Sequence, residues 1–265
     1  MKKVLIAFEG TSFSEGAFEF ARQLNNLHPI LLTGVFIPQM SYANAANTTG
    51  EDDENELRTI EANKSRFEAL CTKHNVSFKI HVDFRDFALP VLARETRFAD
   101  LLLIGGETFY RSIYLGNPLE YLKEALHMAE CPVVVVPEKF DFPKINLLAY
   151  DGSESSLFAI KQFSYLFPEL TNRETLIAYA TGSEEDVIPA RKRVEELLYP
   201  HFMDVCFITL DQPADKSFES LIKTNQSVFL ICGAFGRSSF SEAIRKSFAE
   251  AFLANLNVPV FIAHK

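Results

Sequence analysis

The chain carries one pattern twice, and that repeat constrains its fold more than any other feature. Met1–Phe8 (MKKVLIAF) runs into Glu9-Gly10-Thr11-Ser12, and Pro143–Tyr150 (PKINLLAY) runs into Asp151-Gly152-Ser153-Glu154. A helix-patterned stretch follows in both places. Each half later reaches an apolar strand ending in glycine (LLLIGG, VFLICGA) and closes on a Pro-Val strand (PVVVVP, PVFIAH). Short continuous apolar runs suit strands covered on both faces. Alternation of such strands with helices implies right-handed crossovers and parallel pairing. The expected fold is α/β: two Rossmann-like domains, each a five-stranded, mostly parallel, doubly wound sheet. They are expected over 1–139 and 143–265, joined by a polar, Pro-containing link near Lys139–Pro143. A link that short predicts an intramolecular pseudo-dimer, in which the terminal edge strands cover one another.

Element by element, the first half predicts strands at Val4–Phe8, Ile30–Ile37, Ser77–Phe84, Leu101–Ile104 and Val133–Val136. Its helices are expected at about Ser14–Leu24, Glu54–Lys73, Phe87–Phe98 and Pro118–Met128, with a loop from Pro38 to Asp53. The second half predicts strands at Ile145–Tyr150, Thr175–Ala180, Asp204–Leu210, Val228–Cys232 and Val260–Ala263. Helices are expected at about Ser156–Phe167, Glu184–Leu198, Lys216–Thr224 and Phe240–Leu256. Phe240, Ile244, Phe248 and Phe252 form a stripe on the last of these, which reads as core packing.

Charge narrows the functional classes. The net charge is −9 and neither half is basic: 14 basic against 19 acidic residues up to Phe140, then 12 against 16. No basic run interleaves with aromatics, so a nucleic-acid partner is not expected. A nucleotide remains compatible with an acidic chain, because backbone amides can cradle phosphate locally. Cys71, Cys131, Cys206 and Cys232 fall singly, without metal or redox spacing, and read as buried free thiols of a reducing compartment. The six histidines are equally scattered, so no metal site is expected. No apolar stretch approaches the roughly 20 residues that span a bilayer. With no signal-peptide pattern at the N-terminus, the expected location is cytoplasmic and no membrane partner is expected.

Ligands of doubly wound sheets bind beyond the carboxyl ends of the strands, where the winding reverses. Two features fall there in the second half. Asp151, Gly152 and Ser153 follow the first strand, where the carboxylate suits a ribose hydroxyl or base amine; the competing reading is a turn with Asp or Ser capping the next helix. After the fourth strand come Gly233-Ala234-Phe235-Gly236-Arg237 and, further on, Lys246-Ser247. Glycines there allow backbone N–H groups to approach a polyanion, and the basic and hydroxyl side chains add donors.

At these residues the chain resembles the universal stress protein family, in its tandem two-domain form. The resemblance covers essentially the whole length. It rests on the order of elements, the Asp/Glu-Gly-Ser/Thr turns and the Cys-Pro-Val-Val-Val-Val-Pro run that ends the first copy. It implies an adenine nucleotide alpha hydrolase-like fold, and a regulatory role in stress signalling rather than catalysis. Nucleotide-binding members carry G-x-x-G, nine residues, then G-(S/T), with an Asp after the first strand. In the second copy Asp151, Gly233, Gly236 and Ser247 match, while Lys246 replaces the glycine. The implied ligand is ATP or another adenine nucleotide, with or without magnesium, held by Asp151, Gly152, Ser153, Gly233, Gly236, Arg237, Lys246 and Ser247.

The first copy departs further. Glu9 replaces the Asp, Gly106 and Gly116 keep the later spacing, Asn117 replaces Ser/Thr, and the earlier glycine falls on Leu103. Phe109, Tyr110, Ile113 and Tyr114 crowd the loop between. That copy is expected not to bind nucleotide and to serve as the fixed partner of the second. Assembly beyond that pair, such as a homodimer, is left open. Two alternatives stand beside this reading. One is a protein of the same fold that binds no nucleotide and acts through protein contacts. The other is an enzyme of the ATP-pyrophosphatase kind, disfavoured because Asp-Gly-Ser-Glu is not the Ser-Gly-Gly-like loop that chemistry needs. Asp86, Asp100 and Asp215 read as caps or exposed carboxylates.

Overall fold

The computed structural model describes residues 1–9, 12–37, 50–83, 88–106, 124–180, 188, 190–211, 213–225, 227–233 and 258–263. The chain divides into two compact units, Met1–Glu138 and Lys139–Lys265.

In the first unit the apolar runs form β1 (Lys2–Glu9), β2 (Ile30–Ile37), β3 (Ser77–Val82), β4 (Leu101–Gly105) and β5 (Val133–Val136). They lie in the order β3-β2-β1-β4-β5, and every pairing is parallel. The winding therefore reverses between β1 and β4. Helices α1 (Glu15–Leu27), α2 (Gly50–Lys73) and α3 (Ala88–Thr96) connect the strands, and 124–128 is also helical. Ser14 caps α1, its hydroxyl accepting the Ala17 N–H at 3.1 Å. Ala17, Phe20, Ala21 and Leu24 are buried, as their helical spacing predicts.

The second unit repeats the scheme with β6 (Ile145–Ala149), β7 (Glu174–Ala180), β8 (Asp204–Leu210), β9 (Val228–Gly233) and β10 (Val260–Ala263). Its order, β8-β7-β6-β9-β10, is again all parallel, with the reversal between β6 and β9. Helices α4 (Glu154–Leu166), α5 (Arg191–Leu198) and α6 (Ala214–Thr224) lie among them. Phenylalanines build both cores. Phe67 meets Phe8, Phe18 and Phe36 edge-on in the first unit, and Phe163 contacts Phe167, Phe202, Phe229 and Phe261 in the second.

Two helix starts and one thiol's exposure differ from the sequence expectations. Helix α2 begins at Gly50, inside the predicted loop. Its opening lacks apolar residues, and a charged helix face held by pairs such as Arg58–Glu54 (3.2 Å, i,i+4) leaves no burial signal to read. Helix α5 begins only at Arg191, because Ala190 sits at φ 51°, a left-handed conformation that a continuous helix cannot contain. Cys206 is exposed on β8, the other three thiols being buried. The predicted last helix and its Phe240, Ile244, Phe248 and Phe252 stripe lie outside the described residues, as do most of Pro118–Met128 and Asp86.

Burial pushes the thiols of Cys71, Cys131 and Cys232 from 9.0 up to about 12. A folded chain therefore keeps protons that an unfolded chain gives up, and these groups lower stability as pH rises through 9 toward 12. A thiol reagent at pH 8 should label Cys206 alone in the native protein and all four cysteines after unfolding. Mass spectrometry of the labelled peptides reads this directly. Backbone contact supplies a second prediction. A Cβ on Gly16 would lie 2.1 Å from the Pro137 carbonyl oxygen, whereas one on Gly106 would meet nothing closer than 3.6 Å. Gly16→Ala should cost about 1–3 kcal/mol in denaturant unfolding, and Gly106→Ala less than about 1 kcal/mol.

Candidate functional site

Strand β6 delivers Tyr150 and Asp151 to the carboxyl rim of the second sheet, beside the β6/β9 reversal. Beyond them the chain must turn within three residues into α4. Gly152 makes that turn at φ 80°, where a side chain is strained. Asp151 Oδ1 accepts the Ser153 N–H at 2.9 Å, closing the turn through its own side chain. Ser153 is the N-cap: its Oγ accepts the Ser156 N–H at 3.1 Å, and Ser156 Oγ donates back to the Ser153 carbonyl at 2.9 Å. Turn and cap are thus the roles that the described contacts give Asp151 and Ser153. Gly152 is exposed, while Asp151, Ser153 and Ser155 are half-buried.

Strand β9 brings the second element. A Cβ on Gly233 would lie 2.5 Å from the Ser155 carbonyl carbon and 2.6 Å from its Oγ. Glycine is therefore demanded by contact with the first turn of α4, and the end of β9 lies directly against the Asp151–Ser155 segment. Electrostatics agree with that adjacency. Burial chiefly, and then the Asp151 charge, holds the neighbouring Cys232 thiol up at about 12. The Tyr150 phenol is raised by burial first, then by Asp151 and Tyr179.

The structure thus brings together Asp151, Gly152, Ser153 and Gly233. Gly236, Arg237, Lys246 and Ser247 lie outside the described residues. Two contributors were not expected from sequence. Ser155 forms the wall against which Gly233 packs. Tyr150 and Tyr179 place their ring centroids 6.2 Å apart at the carboxyl ends of β6 and β7. Laying the repeats over one another would have exposed the second feature, since Phe8 pairs with Phe36 at the same registers of β1 and β2.

Register also corrects the comparison of the two copies. The Leu102 N–H donates to the Pro132 carbonyl at 3.0 Å, and the Leu230 N–H to the Pro259 carbonyl at 3.1 Å. Leu102 therefore corresponds to Leu230, and Gly105, not position 103, corresponds to Gly233. Leu103 is a fully buried core residue of β4. Glu9 is the last residue of β1 and pairs in register with Ile37. Phe109, Tyr110, Ile113, Tyr114, Gly116 and Asn117 lie outside the described residues. Asp100 sits at the opposite, amino-terminal rim, where its carboxylate accepts the Lys3 N–H at 2.8 Å. Among the described residues, no group of three metal-ligating side chains converges, and no helix is long and apolar enough to cross a membrane.

Neither family models nor curated proteins match this sequence. Solved structures do. A universal stress protein from Archaeoglobus fulgidus DSM 4304 aligns with all of this chain and 96% of its own, at 17% identity and TM-score 0.71. The chain has the universal stress protein fold. A functionally unknown protein from Pseudomonas aeruginosa PAO1 shares the fold over 100% of this chain and 92% of its own (17% identity, TM-score 0.58). A candidate universal stress protein from Pseudomonas aeruginosa UCBPP-PA14 does so over 100% and 93% (14% identity, TM-score 0.53).

The geometry of this universal stress protein fold makes Gly233 testable. Gly233→Ala should force α4 from β9 and lower stability by about 1–3 kcal/mol. Ser153→Ala, which removes only a cap, should cost about 1 kcal/mol. Thermal melts of both variants check the ranking.

Proposed function

We propose that the protein is a universal stress protein-like regulator that binds an adenine nucleotide in its second unit and catalyses no reaction of its own. The carrying observation is that Gly233 packs on Ser155, two residues past the Asp151–Ser153 turn, at the β6/β9 reversal, where doubly wound sheets bind ligands. In this reading the Asp151 carboxylate faces the nucleoside and Gly152 and Ser153 shape the turn beneath it. Gly233 and Gly236 let the following loop approach the phosphates, and Arg237, Lys246 and Ser247 supply donors. Magnesium, where present, would accompany the phosphates. Three buried free thiols support a reducing, cytoplasmic setting.

Calorimetric titration of nucleotide-stripped protein with ATP, ADP and AMP in magnesium buffer tests this reading. The expected result is about one site per chain with micromolar affinity or better, below roughly −8 kcal/mol. Asp151→Ala should weaken binding at least tenfold while the protein still melts cooperatively. Silence with all three nucleotides from folded protein would turn the role toward protein partners.

A further inference from the structure

The first unit holds a flat ring where the fold binds ligands, and the ring is its own. Phe13 lies between β1 and α1, at the carboxyl rim. Its ring stacks on Phe8 at 4.7 Å with 17° between planes, and Phe8 stacks in turn on Phe36 at 4.8 Å. The Arg66 guanidinium sits over the Phe13 ring, 4.6 Å from its centroid, and pairs with Glu15. Phe8 and Phe36 are fully buried, while Phe13 is only half-buried. A planar ring with an aromatic ring and a guanidinium on it is the arrangement by which proteins hold heterocycles.

The segment carrying Phe13 is tied down on its other side. The Ser14 hydroxyl donates to Glu138 Oε1 at 2.6 Å, and the Gly16 N–H donates to Glu138 Oε2 at 3.1 Å. Gly16, lacking a Cβ, lies against Pro137 and Glu138. Among the described residues, the second unit has no counterpart of this strap. Four residues separate Glu9 from the cap Ser14, whereas Gly152 alone separates Asp151 from the cap Ser153.

We propose that Phe13 is an autoinhibitory occupant of a planar-ring slot built by Phe8 and Arg66, with Phe36 stacked on Phe8 in support, closing the first unit to the ligand class that the second takes. Vacated, the slot accepts an uncharged aromatic heterocycle. The carboxylates of Glu15 and Glu138 beside it disfavour a phosphate. The proposal rests on the nucleotide reading only in the choice of probe, and Asp151→Ala serves as background to silence the second unit.

The experiment titrates adenine, adenosine and AMP into full-length Asp151→Ala and Asp151→Ala/Phe13→Ala proteins, each shown to melt cooperatively. The parent should bind none of them in the first unit. The double variant should bind adenine and adenosine saturably, at least tenfold tighter than the parent, with AMP several-fold weaker than adenosine. Adding Arg66→Ala should reverse most of that gain. Should Phe13→Ala fail to fold, Phe13→Val removes the ring while keeping part of the apolar contact, and carries the same test with a smaller gain. A folded Phe13 variant that binds no ring compound better than its parent overturns the proposal. Failure of the nucleotide reading would appear elsewhere, as silence of the wild-type protein.

Discussion

A helix that starts against a strand end can come into backbone contact only where one partner has no side chain, and both units depend on such a contact. In the second unit the glycine is on the strand, Gly233, and the helix presents Ser155. In the first it is on the helix, Gly16, and presses on Pro137 after β5. Each contact fixes how the first helix leaves the carboxyl rim, and that rim is where the sheet reverses and ligands of this fold class bind. Near the rim, two glycines that touch backbone set where the helices start, and in the first unit the core rings of Phe8 and Phe36 lie beneath.

The cores were the more legible part of the molecule. Every strand predicted from an apolar run is present, because burial on both faces leaves a continuous pattern that no surface residue interrupts. Features without burial were harder to read. The charged start of α2 resembled a loop, and the break before α5 was signalled not by the left-handed Ala190 itself but by Pro189 just before it, inside the predicted helix. At the site, the competing readings of Asp151 and Ser153 were both visible in Asp-Gly-Ser. The contacts place these residues in the turn and cap roles while leaving them at the ligand-binding rim.

The misplaced first-copy glycine has a different origin. Counting back from later glycines through a long loop assumes equal loop lengths in both copies, whereas hydrogen bonds between strands cannot slip without turning every side chain over. The Pro132 and Pro259 carbonyls hold the same register in each unit, so they align the copies where motif spacing does not. Gly105 then falls opposite Gly233. The first copy has kept its strand-end glycine, and among the described residues its divergence at the rim lies in the β1–α1 connection that carries Phe13.

The same register compares the charges that follow the closing strands. Pro132 and Pro259 being equivalent, Glu138 of the first copy corresponds in sequence to Lys265 of the second. In the first copy the carboxylate is spent on the N-terminus of α1, where the helix dipole favours a negative group and where Ser14 and Gly16 donate to it. An anion brought to that copy meets amides already satisfied and a like charge beside them. In the second copy the Ser153 hydroxyl caps α4 as Ser14 caps α1, and an acidic group beside that helix start is Asp151, which precedes the cap and accepts the Ser153 N–H.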